Sequence, residues 1–217
     1  MLVALRVGIV AAAPSDDFVE RGVALRGPWQ VYEGVILGLD DPLPSAPSFE
    51  IVLPVQFGRV KLPDGRQLPR LGAYTLALDV DLPPSREALG VELKYVWGSS
   101  ALRCRVFGDG APRDVNHELG SPSADPTAAR SLQRWGVVPL PPGRRMHCLL
   151  ALANFEGSPG MRDAPRLGEF HRLEAKRLAD LALDMGLAGV LLAFAVVHLV
   201  LSLVRPKQRR PSTMPMA

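Results

Sequence analysis

The chain has 217 residues, 47% hydrophobic and 22% charged, which is enough for one ordinary domain with appendages and excludes a disordered or collagen-like polymer. A formal charge of +3 and a pI near 9.1 would suit a nucleic-acid partner, but the charge is not spread over a folded face. Arg205, Lys207, Arg209 and Arg210 crowd the last 13 residues with no acid among them, and the remaining 21 basic and 22 acidic residues leave a near-neutral body.

Residues 1–13, MLVALRVGIVAAA, form a short apolar stretch ending in three alanines, and residues 14–26 are polar. Together, 1–26 read as a signal-like or irregular N-terminal segment. Short strands follow. Trp29 to Glu33 alternates around two aromatics, and Phe49 to Leu53 is an apolar run closed by Pro54. Residues 58–72 carry turn signals throughout and read as a loop.

The clearest alternation begins at Tyr74, with Leu76, Leu78 and Val80 on the same side. Leu89, Val91, Leu93 and Tyr95 predict a second one-sided strand, and Leu102, Cys104 and Val106 a third. Phe107-Gly108-Asp109-Gly110 supplies turn chemistry. Residues 111–131, rich in Pro, Ser, Asp and Ala, predict a long exposed loop. Strands are expected again at Trp135–Leu140 and at Arg145–Asn154, where Met146, Cys148, Leu150 and Leu152 share a face. About eight alternating strands predict an all-β fold, an antiparallel β-sandwich or jelly roll over 27–168.

From Glu169 the period becomes helical through Leu173, Leu178 and Leu181, with no Gly or Pro before Asp184. Residues 169–184 are therefore a connecting helix, expected to be continuous with residues 185–204. That stretch, MGLAGVLLAFAVVHLVLSLV, holds no charge over 20 residues, enough to span about 30 Å of hydrocarbon. Residues 205–217 form a basic tail, with four cations against Arg172, Lys176 and Arg177 on the other flank. The bias puts the C-terminus in the cytoplasm and the sandwich outside.

The order of Trp29 with Tyr32, Gly72-Ala73-Tyr74-Thr75-Leu76, Phe107-Gly108-Asp109-Gly110, Leu152-Ala153-Asn154-Phe155, Leu167-Gly168 and Val197-His198-Leu199 followed by Arg205 carries a resemblance. Over roughly residues 27–205 the chain resembles the periplasmic sensor domain of bacterial seven-transmembrane receptors with diverse intracellular signalling modules. The resemblance implies a jelly roll like carbohydrate-binding modules, set in the periplasm and anchored in the bacterial inner membrane. In that family six more membrane helices and an output domain follow. Here only 12 residues follow Arg205, so the expectation is a truncated receptor or a single-span descendant.

No catalytic constellation is legible: there is no Gly-x-Ser-x-Gly, no phosphate loop and no His-Glu-x-x-His. The four histidines show no metal-ligand spacing, so neither a metal nor a cofactor is expected. Asp16-Asp17 and Asp40-Asp41 read as solvated pairs. Binding rests on aromatics and arginines. Trp97 stands at a strand end before Gly98-Ser99-Ser100, and Trp135 opens another strand. Arg103 and Arg105 share the solvent side of one strand, where a guanidinium can hold an anion. These four are the candidate ligand-binding residues, set against the competing readings of core aromatics and an ordinary charged sheet face. His198 is the polar residue of the membrane helix and a candidate for self-association.

Cys104 and Cys148 lie on inward strand positions. Two separate buried thiols are the default, and a disulfide remains open in an exported domain. The expected function is a membrane-anchored extracytoplasmic sensor or ligand-binding domain, without its own output domain. Its partners would be membrane lipid, an unknown small ligand of which carbohydrate is one class, and a signalling partner or second copy. The alternatives are an adaptor for a periplasmic protein and, third, a carbohydrate-active enzyme.

Overall fold

The computed structural model describes residues 22–204, except 63, 64, 70, 95, 133, 134 and 158. The signal-like stretch, Asp16-Asp17, Tyr95 and the basic tail lie outside the described residues. In chain order the strands begin with β1 (Val23–Ala24), β2 (Trp29–Glu33), β3 (Phe49–Ile51), β4 (Gly72–Asp81) and β5 (Leu89–Leu93). Next come β6 (Val96–Trp97), β7 (Ser99–Phe107), β8 (Arg113–Glu118), β9 (Gly120–Ser121) and β10 (Arg130–Ser131). The last are β11 (Gly136–Pro139), β12 (Arg145–Asn154), β13 (Gly160–Met161) and β14 (Arg166–Glu169), followed by the helix α1 (Phe170–Val204).

The fold is an antiparallel β-sandwich of jelly-roll type with one C-terminal helix. Its larger sheet runs β3-β2-β4-β12-β7-β8, and its smaller sheet β1-β14-β5-β11. The two-stranded pairs β10-β9 and β13-β6 complete the described set. Alternation decides the core. Tyr74, Leu76, Leu78 and Val80 on β4 and Met146, Leu150 and Leu152 on β12 are all buried in one cluster with Val91, Leu93 and Leu167 of the smaller sheet. Each such side chain contributes roughly 1.5–3 kcal/mol on leaving water. Trp29 is also in the core, its indole N–H donating to the Leu25 carbonyl at 2.9 Å.

Cys104 and Cys148 face each other across the β7–β12 ladder and are joined by a disulfide with an S–S distance of 2.05 Å. This corrects the default of two separate thiols. The expectation lacked strand order: the two residues are 44 apart, and only the pairing of β7 with β12 brings them opposite. Residues 111–131 also depart from the long loop expected. β8 pairs with β7 from Val106↔Arg113 to Ala101↔Glu118, and β9 pairs with β10. As an edge strand β8 has an open outer side, so Asp114, Asn116 and Glu118 stay exposed and its composition resembles a loop. At the N-terminal end the sandwich takes in Val23 and Ala24, paired with Leu167 and Arg166.

The chain divides into two units, with the boundary between Ala175 and Lys176. In the first, α1 starts where the Phe170 N–H donates to the Ala88 carbonyl at 2.8 Å, and Leu173 is buried. The described part of the second unit is the rest of α1. It is long and apolar enough to cross a membrane, and none of its apolar window is buried. Soluble helices normally hide such a surface against a core.

Peptide mapping without reductant is expected to recover Cys104 and Cys148 in one linked pair. Replacing both by alanine should lower unfolding stability by about 2–4 kcal/mol in a denaturant titration, with the fold retained.

Candidate functional site

Three regions of the sandwich carry polar or aromatic groups outside the core. The first is the outer face of the larger sheet. Here Thr75, Ala77, Leu149, Arg103 and Arg105 point away from the core, because they alternate with inward residues on β4, β12 and β7. Residues 34–41 leave β2 and cross this face as a strap. Val35, Leu37 and Leu39 lie on Tyr32, Ala77 and Leu149. The buried Thr75 hydroxyl donates to the Val35 carbonyl at 2.9 Å and accepts from the Leu37 N–H at 3.0 Å.

Arg103 and Arg105 hold the far end of the strap. Arg103 donates to the Leu37 carbonyl at 2.9 Å, and Arg105 to the Leu39 carbonyl at 3.3 Å. The Arg105 guanidinium also grips both carboxylate oxygens of Asp114 at 2.7 and 2.8 Å, and Asp40 at 2.7 Å. That bidentate hydrogen bonding holds the Asp114 carboxyl below the usual range. Asp40 is therefore an ion-pair partner, and Asp41 accepts from the Gly38 N–H at 2.7 Å, so neither is merely solvated. Beside them His147 pairs with Asp79 at 3.1 Å, a hydrogen bond that lowers the Asp79 carboxyl.

The second region surrounds Trp97. This ring is 38% exposed, the most open of the three tryptophans, while Trp29 is fully buried. Gly98 separates β6 from β7 with φ +105, a conformation that strains a side-chain-bearing residue. Its backbone lies against the Ala153 carbonyl, and its own carbonyl accepts from the Ser131 hydroxyl at 2.9 Å. The kink ends the core-facing alternation and leaves Trp97 at the edge. Trp135 sits elsewhere, at the start of β11. Its indole donates to Glu92 at 2.8 Å, and the Lys94 ammonium lies 4.2 Å from its ring centre. Glu92 is only 4% exposed, so that indole satisfies one oxygen of a buried carboxylate. The four candidates thus divide: Arg103 and Arg105 lie together under the strap's end, while Trp97 and Trp135 belong to different sheets.

The third region carries no sequence signal beyond its turn chemistry. A cleft of about 510 Å³ opens between the β7–β8 turn and the β11–β12 connection. Val106 lines it from β7, Asp109 and Pro112 from one turn, and Pro142 and Arg144 from the other. Asp109 and Arg144 form an exposed ion pair at 2.8 Å. The cleft has one carboxylate rather than the pair a glycosidase uses. Among the described residues no three His, Cys, Asp or Glu side chains converge as a metal site.

His117 reports on the seam between the sheets. Its ring lies against Gly136 of β11, and its buried Nε2 has no hydrogen-bond partner among the described residues. Loss of solvent pushes its pKa below the usual 6.5. In the membrane-type helix, His198 is exposed, and its carbonyl accepts from the Ser202 hydroxyl at 2.8 Å.

No protein-family model and no curated protein matches the chain. Among solved structures it is similar to the carbohydrate-binding module TmCBM61, determined in complex with β-1,4-galactotriose. The identity is 15% and the TM-score 0.28, over 46% of this chain and 65% of that one. The chain thus spans just under two thirds of that module's length.

Thr75→Val removes both hydroxyl bonds to the strap while keeping its shape. It should cost roughly 1–3 kcal/mol and speed amide exchange at residues 35–41, read by mass spectrometry. The His117 shift has a definite sign. Its folded-state pKa is lowered, so the unfolded chain binds more protons on acidification. The stability it confers is complete above about 6.5 and is lost as pH falls through the lower folded value. Melting curves should show this fall, and His117→Phe should flatten it.

Proposed function

We propose that the chain is a membrane-anchored extracytoplasmic ligand-binding domain of bacterial sensor type, without catalytic activity of its own. The observation that carries the proposal is the helix Phe170–Val204, which follows β14 with no intervening loop and exposes its whole apolar window. An apolar surface of that length is stable in lipid and costly in water. The disulfide supports an oxidising compartment for the sandwich. The basic flank after Val204 supports a cytoplasmic C-terminus in the inner membrane.

Trp97 is the ligand platform in this proposal. An exposed aromatic ring at a strand end can stack on the apolar face of a sugar, and nearby hydroxyls and carbonyls can hold the sugar's own hydroxyls. Arg103 and Arg105 reach a ligand only by releasing the strap, and Trp135 only by releasing Glu92. A bound ligand would then bias the sandwich, and α1 would carry that bias toward a partner helix, with His198 as a contact. The domain boundaries at 168, 184 and 204 follow from this division of labour between binding, connection and anchoring.

Topology is read with two reporters fused after the tail. Green fluorescent protein should fluoresce there and alkaline phosphatase should stay inactive; the reverse pattern overturns the orientation. Trp97→Ala should weaken binding of neutral oligosaccharides at least tenfold by calorimetry, with the melting temperature unchanged. Equal affinity in the variant removes Trp97 from the site.

A further inference from the structure

We infer that the cleft between residues 108–112 and 142–144 is a second binding site, for a hydroxylated monocarboxylate of uronic-acid type. The inference rests on the ligand-binding reading above but places the ligand at the other end of β7 from Trp97. β7 runs from Ser99, next to Trp97, to Phe107, at the cleft, so the two regions lie at opposite ends of one nine-residue strand.

Shape is the first argument. At about 510 Å³ the cleft falls within the range of small-molecule sites and accommodates one or two sugar rings. Its walls are preformed. Gly143 lies so close that a Cβ there would collide with Val106 and come within 2.8 Å of the Phe107 carbonyl. The Arg144 N–H donates to that same carbonyl at 2.8 Å, tying the two turns together. Pro112 and Pro142 limit the remaining freedom of both.

Charge is the second. Arg144 and Asp109 neutralise each other across the cleft. The Arg113 side chain, exposed on β8 and lining the same space, has no hydrogen-bond or ion-pair partner among the described residues. The cleft therefore holds one uncompensated positive charge. A guanidinium offers two parallel N–H donors that match a carboxylate. A single negative charge balances it, whereas a dianion would meet Asp109. Asp109 and the turn carbonyls are acceptors, which suit the hydroxyls of a sugar acid better than a plain fatty or aromatic acid.

Calorimetry on the detergent-solubilised full chain tests this with galacturonate and glucuronate, against galactose and acetate. Uronates should bind more tightly than either control. Arg113→Ala should weaken uronate binding at least tenfold, Asp109→Asn should tighten it severalfold, and raised salt should weaken it. Melting curves of both variants confirm folding, which neither exposed side chain controls. Absence of uronate binding, equal affinity for galactose, or an Arg113→Ala variant that binds as before would overturn the inference. If binding is lost in Trp97→Ala and kept in Arg113→Ala, the Trp97 site stands and the cleft site falls.

Discussion

Everything in the sandwich hangs on the ladder that β12 makes with β4 on one side and β7 on the other. Ten residues of β12 pair in register with ten of β4, and nine with β7. Because side chains alternate, that register sends Met146, Cys148, Leu150 and Leu152 inward and His147, Leu149, Ala151 and Ala153 outward as one decision. A slip of one residue would exchange the two sets and put His147 in the core. The disulfide lies within this ladder, on its core side, so it locks the pairing that the apolar residues already favour.

The outer side of the same ladder is closed by different physics. Its central residues are small: Ala73, Ala77, Ala101, Ala151 and Ala153 are all buried. Small side chains cannot cover themselves, and the strap over 34–41 supplies part of the missing cover with Val35, Leu37 and Leu39. Its backbone must still be hydrogen-bonded where it leaves water. Thr75, Arg103 and Arg105 serve that need. A pair of arginines that looks like an anion site is thereby explained as an anchoring device for the protein's own main chain. Arg105 in particular is shared between Asp40, Asp114 and the Leu39 carbonyl, so any ligand would have to compete with three partners.

With that face strapped, β7 carries an open surface at each of its two ends. One has an exposed aromatic and neutral polar neighbours. The other has preformed turns and a net positive charge. The contrast in chemistry follows from the two connections: a glycine kink frees Trp97 at one end, and a turn carrying Asp109, with Arg113 just beyond it, faces Arg144 at the other. Both are presented by a rigid sheet, which is the arrangement in which connecting segments acquire binding roles.

The sequence by itself determined what depends on local period. Alternation at Tyr74–Val80, Leu102–Val106 and Met146–Leu152 specified one-faced strands, and the uncharged stretch at 185–204 specified a long apolar helix, because each pattern states its own environment. Trp97 was legible as an edge aromatic for the same reason, since Gly98 follows it directly. Tertiary structure decided what depends on neighbours distant in the chain. Which strand lies beside which turned two thiols into a disulfide, made β8 a strand despite its loop-like composition, and joined Arg105 to Asp40. Val35, Leu37 and Leu39 do alternate, but nothing local says that they cross a sheet face rather than join one. The cleft needs two turns about 30 residues apart, and that distance is closed only when β7 and β12 pair.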